Sequence, residues 1–565
     1  MNDVLQRGLL MLLCGALSTL SAIPIQAAPP KLTSLFPAGA QRGQSVVVTA
    51  AGEFPAWPVE AHCDRAGVTI VAEKERGQFR VTIAADALPG LCWWRAVHAD
   101  GVSSPRPFLI DQLPEINETE PNNAPEKTPE VTLPVIVNGR LAKNGDVDGY
   151  LVQLKQGESL VARVQANWQL GSPMDAFLQI CECVERPPSS ALPSAARQVE
   201  AFVVAQDHDT QGLDPLLMFT APRAGNYLVR VMAFPSEPNG SIAFAGGDAY
   251  IYRLTLTKGG LLDHPFPLSV PREATDVAIA GWNLPPNASR ASLPAVENPT
   301  EQRTRMFSPE FAGAVDVARV AWPGKLATEA AKSSAGEQLT LPTLLSARFD
   351  HERETHTYRF TAKKGERWQL ELTARELGLP LDGVLTVLDA QGKQLQTVDD
   401  AKKQTDPELT FAASADGEYQ VQVRDLHDRG GWRFVYQLRI APVSPTFALT
   451  VAADAFVLTA DKPLEIPVTI DRRDGFKGEI QITATGLPPG VTIEAATSTD
   501  KGDSTKAVKL LLRSAPAAPT WQGPIAIVGT SKEGEQTTLA TYAIALPGVA
   551  PPSAVWLTQA SSPTP

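Results

Sequence analysis

Six oxygen-bearing side chains stand near the two ends of the segment from residue 117 to residue 150. They are Glu118, Glu120, Asn122, Asn123, Asp146 and Asp148. Carboxylate and amide oxygens are the ligands of hard divalent cations, and Ca2+ takes about 6 to 8 of them. The two groups supply most of such a shell if the chain folds back on itself. The spacing therefore predicts one or two Ca2+ ions at these six residues, with a solvated acidic linker as the alternative.

Tyr150 begins an alternation of apolar and polar residues that ends at Gly157, which indicates that the second group leads into a β-strand. The Glu-Pro-Asn-Asn run from Glu120, followed by an Asp-x-Asp-x-Tyr pattern, resembles the bacterial pre-peptidase C-terminal domain. Members of that family are small β-sandwiches that accompany secreted proteases and collagenases, and several bind Ca2+ at these positions. The resemblance therefore implies a β-sandwich with a structural Ca2+ site, and it extends to about Lys258.

The composition favours a chain of several β-rich modules. A length of 565 residues corresponds to three to five domains at about 100 to 200 residues each. Gly and Pro number 41 and 48 without a collagen period, which is typical of many short strands joined by turns. A net charge of −12 argues against nucleic acid as a partner, because phosphate binding needs a basic face. The same charge is compatible with divalent cations.

The chain contains an internal repeat. Phe266-Pro267 repeats Phe36-Pro37, and Tyr358 repeats Tyr150, each followed at matching spacing by the same turn residues. The residues around Phe36-Pro37 are similar to immunoglobulin-like TIG modules. These repeats predict a tandem of immunoglobulin-like and pre-peptidase-like modules arranged in line.

The second copy departs from the family pattern at the proposed ligands. No Glu-Pro-Asn-Asn run precedes it, and Glu354 and His356 stand where Asp146 and Asp148 stood in the first copy. We therefore expect the second copy to keep the fold, and we do not assign it a Ca2+ site.

We predict an all-β fold of tandem β-sandwich modules. The expected segments are a signal peptide (1–28), an immunoglobulin-like TIG-like domain (29–113), a first pre-peptidase C-terminal-like β-sandwich (114–258), a second immunoglobulin-like module (259–338), a second pre-peptidase C-terminal-like β-sandwich (339–442), a C-terminal immunoglobulin-like domain (443–547) and a disordered tail (548–565).

The first 28 residues have the layout of a secretory signal. Arg7 precedes an apolar run from Gly8 to Ile23, and small residues follow at Ala27 and Ala28. The run is shorter than the roughly 20 residues of a membrane span, so an uncleaved anchor is the minor alternative. We expect an exported protein, in the periplasm, on the cell surface or outside the cell.

Four cysteines remain after the signal. In an oxidising compartment Cys63 and Cys92 are expected to form a disulfide, which would contribute about 3 to 4 kcal/mol in the chain-entropy model. Cys181 and Cys183 share one face of a predicted strand, where backbone geometry hardly allows a disulfide. We expect two thiols there, with a metal pair as the weaker alternative.

No catalytic motif stands out in the sequence. His351 and His356 are five residues apart in an extended run, which sends their rings to opposite faces, whereas a zinc helix needs a spacing of four. Asp207-His208-Asp209 is best interpreted as an acidic turn. We therefore expect a non-catalytic protein that binds or adheres to an envelope polymer or protein. The alternative is a protease-associated accessory protein, or a peptidase relic, that brings a catalytic partner to its substrate.

Overall fold

The computed structural model is 56% strand and 3% helix, which confirms the all-β prediction. It describes residues 28–186, 198–237, 243–285, 290–294, 303–322, 324–400, 405–460, 462–532, 536–544 and 552–560, with single residues at 240, 546 and 549. The predicted signal peptide therefore lies outside the described residues, except for Ala28. Within the described part of the chain, every helix is too short or too polar to cross a membrane.

Module 1 is a sandwich of two sheets, ordered β1-β3-β6-β5 and β2-β9-β7-β4, with β8 beside β7. Its core is aromatic: Phe79, Trp94 and Phe108 are each at most 1% exposed. Its strands are β1 (Lys31–Phe36), β2 (Gly39–Gln41), β3 (Ser45–Glu53), β4 (Glu60–Cys63), β5 (Val68–Ala72), β6 (Gln78–Ile83), β7 (Gly90–His98), β8 (Gly101–Val102) and β9 (Arg106–Asp111).

Module 2 has sheets ordered β10-β11-β18-β13-β16 and β12-β17-β14-β15. A one-turn helix, α1 (Asn167–Leu170), follows β13. Its strands are β10 (Glu115–Asn117), β11 (Val135–Arg140), β12 (Asp148–Leu154), β13 (Ser159–Gln165), β14 (Met174–Arg186), β15 (Gln198–Asp207), β16 (Leu216–Thr220), β17 (Gly225–Pro235) and β18 (Ile251–Thr257).

Module 3 is the smallest, with two three-stranded sheets ordered β19-β21-β22 and β20-β24-β23. Leu262, Val277, Ile279 and Val317 are among the residues that fill its core. Its strands are β19 (Leu261–Phe266), β20 (Ser269–Pro271), β21 (Asp276–Trp282), β22 (Arg290–Ser292), β23 (Arg303–Phe307) and β24 (Ala314–Val320).

Module 4 repeats the strand order of module 2. Its sheets run β25-β27-β34-β29-β32 and β26-β28-β33-β30-β31, so that only β26 has no counterpart. This agreement supports the repeat found in the sequence. Its strands are β25 (Lys325–Leu326), β26 (Glu337–Gln338), β27 (Thr343–Arg348), β28 (Thr355–Ala362), β29 (Arg367–Thr373), β30 (Gly383–Asp389), β31 (Gln394–Val398), β32 (Glu408–Ala412), β33 (Gly417–Asp425) and β34 (Val435–Pro442).

Module 5 has two layers that are joined by hydrogen bonds into one ten-stranded sheet. Its strand order is β36-β44-β42-β43-β35-β37-β41-β39, with β38 beside β42 and β40 beside β38. Its strands are β35 (Thr446–Val451), β36 (Ala455–Leu458), β37 (Leu464–Arg473), β38 (Ile480–Thr485), β39 (Val491–Glu494), β40 (Ala496–Ser498), β41 (Ala507–Ser514), β42 (Trp521–Ser531), β43 (Thr537–Thr541) and β44 (Ala554–Gln559).

Strand β44 corrects the prediction of a disordered tail over 548–565. Val555 and Leu557 are fully buried in the core of module 5, and β44 pairs with both β36 and β42. The sequence misled us because Pro, Ser and Ala surround the strand on both sides. The other domain limits drawn from the sequence stay predictions.

The modules do not lie in line, because module 5 packs back against module 1. Arg95 of β7 donates hydrogen bonds to Asp454 (2.5 Å) and to the Tyr542 hydroxyl (3.0 Å). Trp556 joins Val97 and Val102 in a small apolar cluster between the two modules. The predicted linear arrangement was therefore wrong. It could not be corrected from the sequence, because packing between distant segments leaves no local pattern.

Candidate metal centre

The predicted ligands lie where the segment between β10 and β11 crosses the start of β12. Glu118 follows β10, and its N–H donates to the Asn138 carbonyl of β11 (2.9 Å). Further along, the Thr128 hydroxyl donates to the carbonyl oxygens of Asn122 (3.1 Å) and Ala124 (3.0 Å), which folds the segment into a compact loop. Asp148 is the first residue of β12. The loop therefore brings residues 30 positions apart onto one end of the module 2 sandwich.

Gly149 allows this close approach. A Cβ atom at this position would lie 2.8 Å from the Thr128 hydroxyl oxygen and 2.9 Å from the Asn122 carbonyl oxygen. Both distances are below the contact limit for carbon and oxygen. The glycine of the Asp-x-Asp-Gly-Tyr run is therefore needed for the loop to lie against β12.

Three carboxylates meet at this point. Oxygen atoms of Glu118, Glu120 and Asp148 all lie within 4.8 Å of one another. Asp148 is fully buried, Glu118 is partly buried and Glu120 is exposed. The cluster thus extends from the surface into the interior, and carboxylates gathered this closely repel one another unless protons or a cation lie between them.

Each carboxylate has one oxygen held by the protein. Glu118 accepts the Arg140 N–H (2.9 Å), and Glu120 accepts the Asn122 N–H (3.1 Å). The Tyr252 hydroxyl donates to one oxygen of Asp148 (2.6 Å) and lies 2.5 Å from the Tyr150 hydroxyl. These contacts fix the direction of the carboxylates while leaving their other oxygens available.

Two buried side chains at the cluster have unpartnered polar atoms. Among the residues that the structure describes, the second oxygen of Asp148 has no hydrogen-bond partner, and neither has the oxygen or the nitrogen of the Asn122 amide. Both residues are 0% exposed. Leaving such groups unsatisfied costs about 1 to 3 kcal/mol each, so a water or a cation bound here would stabilise the fold.

Without a bound cation, ionisation of the carboxyl groups in the cluster is unfavourable. Burial raises the pKa of Glu118 to about 7. Burial, reinforced by the charge of Glu118, raises the pKa of Asp148 to about 9. The tyrosine pair beneath them is also affected: burial raises the pKa of Tyr150 and of Tyr252 well above the ordinary value. A bound divalent cation would offset the cost of ionising the two carboxylates.

The residues present fit a calcium ion better than a softer metal. Glu118, Glu120 and Asp148 would supply carboxylate oxygens, and Asn122 would supply an amide oxygen; no histidine or cysteine belongs to the cluster. An all-oxygen set of this kind is typical of Ca2+.

The remaining two predicted ligands are used differently. The Asn123 amide donates to one oxygen of Asp146 (2.7 Å), and the other Asp146 oxygen accepts the Ala142 N–H (2.8 Å). The structure therefore groups Asn123 and Asp146 with each other and not with the three carboxylates, where they brace the turn before β12. Tyr252, which orients Asp148, was missed as a site residue because it lies 104 positions away in β18.

The comparisons with known proteins bear on module 4. Residues 354–425 match the family model of the bacterial pre-peptidase C-terminal domain. This pre-peptidase C-terminal domain spans strands β28 to β33 of module 4, and module 2 repeats its strand order. No curated protein matches the chain.

Solved structures resemble the chain only weakly. Escherichia coli alpha-2-macroglobulin activated by porcine elastase is 11% identical over 93% of this chain and 52% of its own, with a TM-score of 0.13. Tripeptidyl peptidase 2 is 8% identical over 90% of this chain and 39% of its own, with a TM-score of 0.15. The four N-terminal immunoglobulin domains of Dscam1 are 8% identical over 91% and 97%, with a TM-score of 0.17. The chain thus spans about half, or less, of the first two proteins, and TM-scores this low carry no argument.

Cys63 ends the edge strand β4, and Cys92 lies on the neighbouring strand β7, buried in the core of module 1. Both are thiols in the structure. The Cys92 thiol donates to the Phe108 carbonyl (3.3 Å), and the contact with Cys92 lowers the pKa of Cys63. Cys181 and Cys183 are also thiols, in β14.

The Cys63–Cys92 disulfide stays a prediction. Peptide mapping of protein exported into an oxidising compartment is expected to recover the two residues as one cross-linked peptide, because their sulfur atoms are already neighbours. Recovery of both as free thiols from such material would show that the pair is reduced in the native protein.

The sequence patterns that could suggest catalysis have structural roles. One oxygen of Asp207 accepts the Thr210 hydroxyl (2.6 Å) and the Leu216 N–H (2.8 Å), which fixes a turn. His208 is exposed and stacks on Phe177. His356 is buried and His351 is exposed, so they do not share a site.

Proposed function

We propose that this chain is an exported, non-catalytic binding protein in which Ca2+ fastens the loop between β10 and β11 onto the start of β12 in module 2. The observation that supports this most is the convergence of Glu118, Glu120 and Asp148 around buried amide and carboxylate atoms that have no partner. The role assigned to the cation is structural, because it would hold together the loop between β10 and β11 and the start of β12, and all three carboxylates would serve as its ligands.

The chemistry of the site explains how a cation would act on the fold. Asp148 is anchored through Tyr252 to the core of module 2, whereas Glu118 and Glu120 belong to the loop between β10 and β11. A cation shared between them joins this loop to the start of β12. One end of the module 2 sandwich, and the surface that it presents to a partner, would then be rigid.

The family match of module 4 supports the proposal that the protein is exported. The pre-peptidase C-terminal domain of module 4 is typical of secreted proteins, and the amino-terminal sequence has the layout of a signal peptide. We propose an envelope or extracellular polymer or protein as the ligand. A protein and glycan array probed with the full chain, with Ca2+ and with chelator, would identify its class.

Calcium is expected to raise the melting temperature of module 2. At a hundredfold excess over Kd, a ligand specific for the native state contributes about 2.7 kcal/mol. That corresponds to a shift of roughly 5 to 10 °C for a domain of this size. Calorimetry of the full chain in Ca2+ and in EGTA measures the shift, and Mg2+ should substitute poorly because it prefers a smaller octahedral shell.

Variants show whether the shift belongs to this cluster. Asp148→Asn should abolish the response to Ca2+, whereas Glu126→Gln, an exposed carboxylate in the same loop, should leave it intact. Identical melting curves in Ca2+ and EGTA for the unmodified chain would show that residues 117–150 bind no Ca2+ and include only a solvated acidic linker.

The family match also supports an alternative, a protease-associated accessory protein. Casein and gelatin zymography of the purified chain separates the two. Activity that is abolished by a serine-protease inhibitor would overturn the non-catalytic proposal.

A further inference from the structure

Module 4 offers an internal comparison for the metal centre, because equivalent strand pairings and backbone hydrogen bonds relate the positions of the two modules. In module 2 the Glu118 N–H donates to Asn138 of β11, and in module 4 the Ala327 N–H donates to Ser346 of β27, both at 2.9 Å. Strands β11 and β27 hold the same place in their sheets. Ala327 therefore occupies the position of Glu118.

The second loop position is also apolar in module 4. Four residues after Glu118, Asn122 is fully buried with both amide atoms unpartnered. Four residues after Ala327, Ala331 is fully buried in the main core of module 4. These two loop positions of module 4 thus offer no oxygen ligand from their side chains. By the same count Glu329 stands at the position of Glu120, but it is exposed and pairs with Lys332 (3.0 Å).

The third position carries a histidine. Asp148 pairs with Val231, and His356 pairs with Val423 in the equivalent ladder. Two residues later, Tyr150 and Tyr358 again pair with equivalent valines. His356, which is 1% exposed, therefore stands in the place of Asp148.

His356 completes a chain of hydrogen bonds that has no unsatisfied member. The Tyr358 and Tyr436 hydroxyls are 2.7 Å apart, and Tyr436 lies 2.6 Å from His356 Nδ1. On the other side of the ring, Nε2 lies 2.9 Å from a Glu354 oxygen. The second Glu354 oxygen accepts the N–H groups of Asp350 (2.7 Å) and His351 (3.0 Å).

If the His356 imidazole is neutral, the hydrogen bonds of this series can point in only one direction. Nε2–H donates to the Glu354 carboxylate, so Nδ1 accepts from Tyr436, which in turn accepts from Tyr358. Burial lowers the pKa of His356, which favours this neutral form. Glu354 and Asp350 act against that shift, and Lys332 adds to it.

We propose that His356 and Glu354 replace the cation in module 4, which makes this copy independent of divalent cations and responsive to acid. The contrast with module 2 rests on the function proposed above. When Nδ1 is protonated, it no longer accepts the hydrogen bond from the Tyr436 hydroxyl but donates one to it. The Tyr436 hydroxyl must then donate to Tyr358. The Tyr358 hydroxyl is left without an acceptor among the described residues. The chain would then contain one copy stabilised by metal and one copy stabilised by a neutral imidazole.

The sign of the acid response follows from proton linkage. A histidine whose folded-state pKa lies below its unfolded value of about 6.5 stabilises the fold fully above pH 6.5, and this contribution is lost as the pH falls. Full exclusion of the proton from the folded state at pH 5.5 corresponds to about a tenfold increase in the opening equilibrium.

Hydrogen exchange of the full chain, resolved by peptide mass spectrometry and corrected for the intrinsic pH dependence, tests the proposal. When the pH is lowered from 7.5 to 5.5, the opening equilibrium of peptides covering β28 and β34 should increase about tenfold. The increase should be the same in Ca2+ and in EGTA. His356→Gln keeps a neutral donor and acceptor and should remove the acid response. His351→Gln, which changes an exposed histidine of the same module, should not.

The possible outcomes separate this proposal from the metal site. Acid-insensitive β28 and β34 peptides in the unmodified chain would overturn it whether or not His356→Gln folds. Loosening of the same peptides by EGTA would overturn it as well. If the module 4 peptides behave as expected while β12 and β18 ignore EGTA, the histidine proposal stands and the calcium proposal for module 2 fails.

Discussion

Arg253→Met is expected to destabilise module 2, together with its contact with module 1, by about 3 to 5 kcal/mol. The side chain of Arg253 is 0% exposed and donates to the Leu109 carbonyl of module 1 (2.9 Å) and to Glu115 in β10. Burial already raises the pKa of Glu115, so loss of the guanidinium leaves a buried carboxyl that must take up a proton. The cost comes from the unpaired partner more than from the lost attraction.

Urea unfolding of the full chain, with exchange followed in peptides over 106–117 and 251–257, measures this effect. Arg223→Met is the matched control, because Arg223 pairs with Glu182 at the surface and is 72% exposed. An exposed pair contributes about 0 to 1 kcal/mol. Equal losses for the two variants would show that the Arg253–Glu115 pair has no special role.

Asp454→Ala is expected to release module 5 from module 1. Arg95 is 7% exposed and Asp454 is 22% exposed, so their ion pair lies largely out of water. Removal of the carboxylate leaves the Arg95 guanidinium with only the Ser103 carbonyl and the Tyr542 hydroxyl. We expect a loss of about 2 to 4 kcal/mol, below the figure for a fully buried pair because Asp454 is partly hydrated.

Small-angle scattering detects the release directly, because an undocked module 5 increases the radius of gyration. Asp471→Ala is the control: Asp471 pairs with Arg473 in the same module but is 62% exposed. An unchanged radius for Asp454→Ala, together with unchanged protection of the Val97 and Trp556 peptides, would show that other contacts hold the two modules together.

The sequence revealed features whose causes are local. Tyr150 and Tyr358 mark equivalent strands, and the glycines after them mark equivalent turns, since a turn requires its glycine wherever it occurs. The repeat and the all-β class could therefore be predicted. Packing between modules could not, because Arg95 and Asp454 are ordinary surface residues until the chain brings them together across 359 positions.

The carboxylate cluster was predictable in part for the same reason. Glu118, Glu120 and Asp148 were recognised by type and spacing, and the structure brings them together. Type and spacing do not show which oxygen is already used. Asn123 and Asp146 resemble ligands in the sequence, yet in the structure the amide of one is hydrogen-bonded to the carboxylate of the other.

Because module 5 packs against module 1, this contact can form only after nearly the whole chain is available for folding. Arg95 enters the compartment where the protein folds 359 residues ahead of Asp454, so there is an interval in which module 1 can fold before module 5 is present. During that time Val97, Val102 and the Arg95 guanidinium are exposed on a module that has otherwise folded. A nascent chain in this state offers a surface that a holding chaperone can recognise, and docking of module 5 removes it. The docked surface thus distinguishes finished molecules from unfinished ones.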